Sequence, residues 1–280
     1  MHLTTALTLA LLFVSPVLGL PSTFASRAVK RGRPVLPSEV ADKFKSSGTP
    51  TSGAASSHPT SFSSNWAGVV LPTPPAGENF TAVTGTFTVP TLAPSAYAAT
   101  SIWVGIDGWN TDFNSDAQGL FQAGIDCWME NGKLSFDTWY EWVPDGSYNF
   151  TGFDISAGDV LTFSLVATST TEGTINVENE TTGQKISHVL DAPPIAHSQL
   201  ALQSADWIME DFFWYGQVPL ADFGTIRFTD ASAKTTGGKT VGLTDATIVD
   251  LVLDGSVSKT EVTVDSDSSA TITYVSAFEF

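Results

Sequence analysis

Three short stretches carry most of the polar side chains that could do chemistry in this 280-residue chain. Ser101 to Gly108 holds Trp103 and Asp107, Leu120 to Asp126 holds Gln122 and Asp126, and Phe136 to Val143 holds Asp137, Trp139 and Glu141. Read as strands with a two-residue period, each stretch puts these residues on one face, while Ile102, Val104 and Ile106, or Phe121, Ala123 and Ile125, point the other way. If the three faces coincide they form a groove lined by carboxylates, an amide and indoles. If they do not, the carboxylates are scattered solvent-facing groups. A fourth stretch, Ala205 to Trp214, sets Glu210 between Ile208 and Phe212, where a carboxylate is costly unless it is protonated, paired or functional.

Several chemistries are absent by inspection. There is no His-Glu-x-x-His zinc signature, no Gly-x-Ser-x-Gly elbow and no phosphate-binding Gly-x-x-x-x-Gly-Lys loop. The Asp-Thr-Gly and Asp-Ser-Gly triplets of ordinary aspartic peptidases are missing as well. His188 and His197 lack metal-like partner spacing, so neither a metal nor another cofactor is expected. Cys127 is the single cysteine, which rules out an intramolecular disulfide, and its parity with Ile125 points it into the core.

The elements that must position these residues are short strands. Asn65 to Leu71, Phe80 to Val89, Thr225 to Phe228, Thr247 to Leu253, Glu261 to Val264 and Ala270 to Phe278 are strand-like runs between turn residues. Val160 to Thr168 and Gly173 to Glu178 read as a hairpin with Lys185 to Leu190 beside it, and Trp109 to Gly119 as a loop rich in Asn, Asp and Gly. Roughly twelve to fourteen strands at this spacing predict an all-β sandwich or barrel.

The net charge of -17 argues against nucleic acid and anionic membrane as partners. The charge is uneven. Residues 1–60 hold Arg27, Lys30, Arg31, Arg33, Lys43 and Lys45 against Glu39 and Asp42, a net of +4, which leaves -21 on the remaining residues. Such an acidic surface is relieved of self-repulsion when its carboxylates protonate, so it suits either an acidic setting or plain solubility. Residues 1–19 look like a secretory signal peptide and residues 20–60 like a basic, removable propeptide, with the catalytic domain over 61–280. The basic segment is expected to clamp the acidic domain electrostatically as an inhibitor. Asn79, Asn149 and Asn179 head N-glycosylation triplets, consistent with secretion to the extracellular space.

Asn65-Trp66, Trp103 to Gly108, Gln122-Ala123-Gly124-x-Asp126, Trp139 to Pro144, Thr181 to Lys185 and Ile208 to Phe212 together resemble, in order and spacing, the successive signatures of the glutamic peptidases, or eqolisins. The resemblance implies a secreted fungal acid endopeptidase acting on polypeptides. It also implies a β-sandwich of two antiparallel sheets with concanavalin A-like, lectin-like architecture; a monomer is expected. Residue by residue it implies Gln122 and Glu210 as the catalytic pair. Trp103, Asp107, Asp126, Asp137 and Glu141 then support the site beside Trp139, the aspartates tuning Glu210, and Trp66 and Trp103 line the groove as exposed indoles. Val143 departs from the family, which carries an aromatic there. Two other readings remain: a glycan-binding sandwich, and a glycosidase using Glu141 and Glu210, whose carboxyls would have to lie about 5 to 9.5 Å apart.

Overall fold

The computed structural model describes residues 58–109, 115, 117–212, 218–253 and 257–275. The proposed signal peptide, nearly all of the proposed propeptide and part of the Trp109 to Gly119 loop lie outside the described residues. Seventeen strands and no helix occur among them. In chain order they are β1 (Thr60–Ser63), β2 (Trp66–Leu71), β3 (Phe80–Thr88), β4 (Tyr97–Asp107), β5 (Leu120–Glu130), β6 (Lys133–Val143), β7 (Tyr148–Asn149), β8 (Val160–Ala167) and β9 (Glu172–Asn179). Then follow β10 (Gln184–Asp191), β11 (Ala205–Glu210), β12 (Thr225–Thr235), β13 (Thr240–Val241), β14 (Thr247–Leu253), β15 (Val257–Ser258), β16 (Thr260–Ser266) and β17 (Ser269–Tyr274).

They form two sheets. The first runs β1-β14-β2-β11-β4-β5-β6-β7 with β15 on β14, and the second runs β10-β9-β8-β3-β12-β17-β16 with β13 on β12. All pairings are antiparallel except that of β1 with β14. The fold already holds residues assigned by sequence to the propeptide, because Thr60 pairs with Ile248 and Pro59 accepts the Ile248 N–H at 2.8 Å.

Alternation of side chains explains why the sheets stack. The inner faces supply Ile102, Val104 and Ile106 from β4, Phe121 and Ile125 from β5, Trp207 and Met209 from β11, and Phe87, Phe163 and Phe228 from the second sheet, all buried. Phe87 stacks on Phe163 at 5.7 Å and meets Phe228 edge-on at 5.5 Å. Trp207 ties the layers together by donating its Nε1–H to the Thr84 carbonyl at 2.7 Å. Gly85 makes that possible, since a Cβ there would stand 2.7 Å from Trp207 Cδ1. Cys127 is fully buried, as its parity predicted, and burial pushes its thiol well above the usual range.

The second sheet corrects one sequence expectation. Asn179 is fully buried, with Nδ2 donating to Asp159 at 2.8 Å and Oδ1 accepting the N–H groups of Thr181 and Thr182 at 3.1 Å. It shapes the turn from β9 to β10, and no glycan can be attached to it in the folded protein. Asn79 and Asn149 are exposed. A further difference is that β11 ends at Glu210; the Asp211 N–H adds one more bond in the β2 register, to the Asn65 carbonyl at 2.8 Å, and positions 213 and 214 of the expected strand lie outside the described residues.

Asp250 on β14 links this fold to pH. Loss of solvent, with the nearby Glu261 charge adding to it, pushes its carboxyl up to about 7 against bonds from Thr260 and Val262. A group raised in the folded state adds stability that is complete below its ordinary value near 3.8 and is lost as pH rises through about 7. Asp250→Asn should therefore flatten the fall of Tm between pH 4 and 8. An unchanged Tm–pH slope in the variant would remove Asp250 from this role.

Candidate active site

Strand register settles which residues share a face. Along β11, β4, β5 and β6, one cross-strand row reads Asp206, Gly105, Gln122, Glu141; the next reads Ile208, Trp103, Gly124, Trp139; and the third reads Glu210, Ser101, Asp126, Asp137. Trp66 extends the third row onto β2. The faces of the three polar stretches therefore coincide, and Glu210 from a distant part of the chain joins them. This is the outer face of the first sheet, carrying a separate buried cluster of Trp66, Val70, Trp103, Leu120, Trp139, Ile208 and Val249.

Trp103 sits at the centre of this face. Its Nε1–H donates to Glu210 Oε2 at 2.8 Å, and its edge meets the Trp66 ring at 4.9 Å and 77°. The other end of the indole lies over Gly105, where a Cβ would stand 3.0 Å from Trp103 Cζ3, 3.2 Å from Leu120 Cδ1 and 3.3 Å from Gln122 Cβ. Gly124 is equally constrained, since a Cβ there would lie 2.5 Å from Trp103 Cβ and 2.1 Å from the Ile102 carbonyl oxygen. Two glycines thus let one indole lie between the strand positions of Glu210 and Gln122.

The two polar ends are held separately. Gln122 Nε2 donates to Glu141 Oε2 at 2.5 Å, while Gln122 Oε1 has no hydrogen-bond partner among the described residues. Glu210 receives Trp103 on Oε2 and the Asn65 amide on Oε1 at 3.1 Å. Gln122, Glu141 and Glu210 are all at most 2% exposed. A carboxylate accepting two N–H bonds is favoured in its charged form, and an amide that has spent one hydrogen on Glu141 still has another to give.

The remaining expected residues divide. Asp126 stands opposite Asp137 in the row of Glu210, with Ser101 between Asp126 and Glu210, and Asp137 accepts from Asn149 Nδ2 at 3.0 Å. Asp107 does not serve Glu210 directly. It lies six positions along β4 from Ser101, the position opposite Glu210, which is roughly 20 Å of strand. Its carboxylate instead accepts the N–H groups of Leu202 and Gln203 at 2.7 Å and of Ser204 at 3.3 Å, and so anchors the segment that leads into β11. Burial pushes the Asp107 carboxyl up, against the pull of these bonds. Trp66 and Trp103 are buried rather than exposed, because two indoles packed on each other and on Val70, Ile208 and Trp139 remove a large apolar area from water. Val143, where the family carries an aromatic, packs against this same cluster.

Sequence reading missed two residues here. Asn65 was visible as half of the Asn-Trp pair, but nothing in its type showed that it would reach Glu210. Asp206 shares the parity of Ile208 and Glu210, is fully buried and accepts from Ser204 Oγ at 3.4 Å, so period two alone would have placed it on this face.

A model of the Peptidase A4 family matches residues 64–274. The chain belongs to that family. Aspergillopepsin-2 of Aspergillus niger is 37% identical over 294 residues, covering 94% of this chain and 96% of that protein. Scytalidopepsin B of Scytalidium lignicola is 37% identical over 213 residues, covering 71% and 76%. Among solved structures, scytalido-glutamic peptidase with a transition state analog inhibitor superposes with a TM-score of 0.66 at 34% identity, over 76% of this chain and 98% of that one. Aspergilloglutamic peptidase from Aspergillus niger gives 0.56 at 42% identity, over 64% and 99%. Membership in the Peptidase A4 family makes the chain an endopeptidase with a β-sandwich fold, which sets aside the glycan-binding and glycosidase readings.

For this peptidase the glycine beneath Trp103 has a measurable role. Gly105→Ala would press on the indole and on Gln122 at once, and kcat should fall on the order of 10 to 100-fold, since small misplacements at a reacting centre cost that much. Steady-state kinetics beside a thermal melt would check it. Unchanged kcat would show that the indole can move without consequence.

Proposed function

We propose that this chain is a secreted, acid-acting endopeptidase that cleaves polypeptides with a Gln122–Glu210 pair. The observation that carries the reading is that the Glu210 carboxylate and the Gln122 amide stand on one face, with the Trp103 indole bonded to Glu210 and its other end over Gly105, the cross-strand partner of Gln122. Glu210, as carboxylate, takes a proton from a water that attacks the scissile carbonyl, and then donates that proton to the leaving amine. Gln122, held by Glu141, gives its remaining N–H to the developing oxyanion. An amide does not titrate in acid, so this donor works at any pH the fold tolerates. Asp126 and Asp137 complete an acidic rim beside Glu210, and Trp139 backs Trp103.

The basic 20–60 segment fits the role of an inhibitor that leaves as the acidic domain protonates. Secretion is supported by the signal-like leader and by the exposed Asn79 and Asn149 acceptors. The enzyme is proposed to act as a monomer, without metal or cofactor.

Digestion of casein or haemoglobin across pH 2 to 7 tests the pair. Gln122→Ala should lose about 100 to 1,000-fold in kcat, the usual cost of one oxyanion donor. Glu210→Gln should lose on the order of 100 to 10,000-fold, the share of a general base. Variants that digest as fast as the wild type would overturn the assignment.

A further inference from the structure

Glu210 poses an electrostatic problem. The charged groups on the surrounding strands of its face are almost all acids: Asp206 on its own strand, Asp126 on β5, and Asp137 and Glu141 on β6, with Asp107 on β4 farther off at the 202–204 segment. β2, its other neighbour, has no charged residue. Lys133 is the single cation on β2, β11, β4, β5 and β6, and it is exposed at the far end of β6 opposite Glu130. Buried among like charges, a carboxyl holds its proton more tightly. A general base in an acid-working enzyme needs the reverse, so neutral donors have to favour its charged form.

The Trp103 indole and the Asn65 amide are such donors to Glu210. Asn65 is fully buried and is fixed on three sides. Ser63 Oγ donates to Asn65 Oδ1 at 3.2 Å, the Asn65 carbonyl accepts the Asp211 N–H at 2.8 Å, and the Asn65 N–H donates to Ser63 Oγ at 3.3 Å. The hydroxyl decides which way the amide points. With its proton on the amide oxygen, Nδ2 is left facing Glu210 Oε1 at 3.1 Å, and an ionised carboxylate, having no proton to give, can only accept from it.

Resting on the assignment of Glu210 as general base, we propose that Asn65 is a positioning residue, set by Ser63, that holds Glu210 as a carboxylate at acid pH by donating to its Oε1. Nothing in the reaction passes through Asn65 itself. Its effect reaches the chemistry through the protonation state and direction of Glu210, so it governs how far into acid the enzyme keeps working. Ser63 acts one step further out, and its loss frees the amide to turn.

The pH profile of kcat/KM on a peptide substrate separates this role from simple support of the fold. In Asn65→Ala, Glu210 loses a donor and keeps its proton to higher pH, so the acid limb should move up by about 1 pH unit while activity near pH 5 stays closer to wild type. Ser63→Ala, which leaves Asn65 in place, should move the same limb in the same direction by less, and it decides the matter if Asn65→Ala does not fold. A drop that is equal at every pH, or an unmoved acid limb with a lowered Tm, would overturn the proposal. Glu210→Gln run beside them is expected to be inert throughout. A Glu210→Gln enzyme with the wild-type profile would remove the general-base assignment and this role with it, whereas an inert Glu210→Gln enzyme with an unmoved limb in the Asn65 and Ser63 variants would remove this role alone.

Discussion

The indole of Trp103 is the contact on which the rest of the site depends. It hydrogen-bonds the carboxylate of Glu210 with its pyrrole edge and lies over Gly105, beside Gln122, with its other edge. A large, flat, stiff group is well suited to this, because it fixes a spacing that flexible side chains would let drift. The glycines at 105 and 124 leave room for it, and Trp66, Val70, Ile208 and Trp139 keep it from tilting. The spacing between the two groups proposed to react is thereby set by packing rather than by contact between them.

The sandwich supplies what the indole requires. Gln122 and Glu210 lie 88 positions apart in the chain and come onto one face only because β11 inserts between β2 and β4. That insertion is secured from both sides. On the inner face Trp207 and Met209 are buried, and Trp207 is bonded across to the second sheet. At its start, Asp107 holds the 202–204 segment by three backbone N–H groups, and at its end Asn65 accepts the Asp211 N–H. A buried face carrying this many carboxyls is costly in water at neutral pH. Asp250, raised to about 7 on β14, shows the same bias toward acid.

Much of this was legible in the chain. Period-two alternation put Trp103, Gln122 and Glu141 on the correct faces, and the hairpin of Val160 to Thr168 with Gly173 to Glu178, with Lys185 to Leu190 beside it, is found as β8, β9 and β10. Alternation cannot, however, give register. It left open whether the three polar faces coincide, and it could not show that Asp107 would look toward a backbone segment while Asp126 and Asp137 share the row of Glu210. Burial was misjudged for related reasons. Trp66 and Trp103 read as exposed because nothing local showed that they pack on each other, and Asn179 read as a glycan acceptor because the triplet does not record that its amide closes a buried turn. Asn65 escaped because its partner lies 145 residues away.

The central claim is that Gln122 and Glu210 act as one unit, held at a fixed spacing. It is tested most directly by kcat/KM at acid pH for the double variant Gln122→Ala, Glu210→Gln against each single variant. Groups that act as a unit are strongly non-additive, so the double variant should be no slower than the slower single variant, within about threefold. A double variant whose loss equals the product of the two single losses would contradict the claim, because it would mean that the two residues contribute independently.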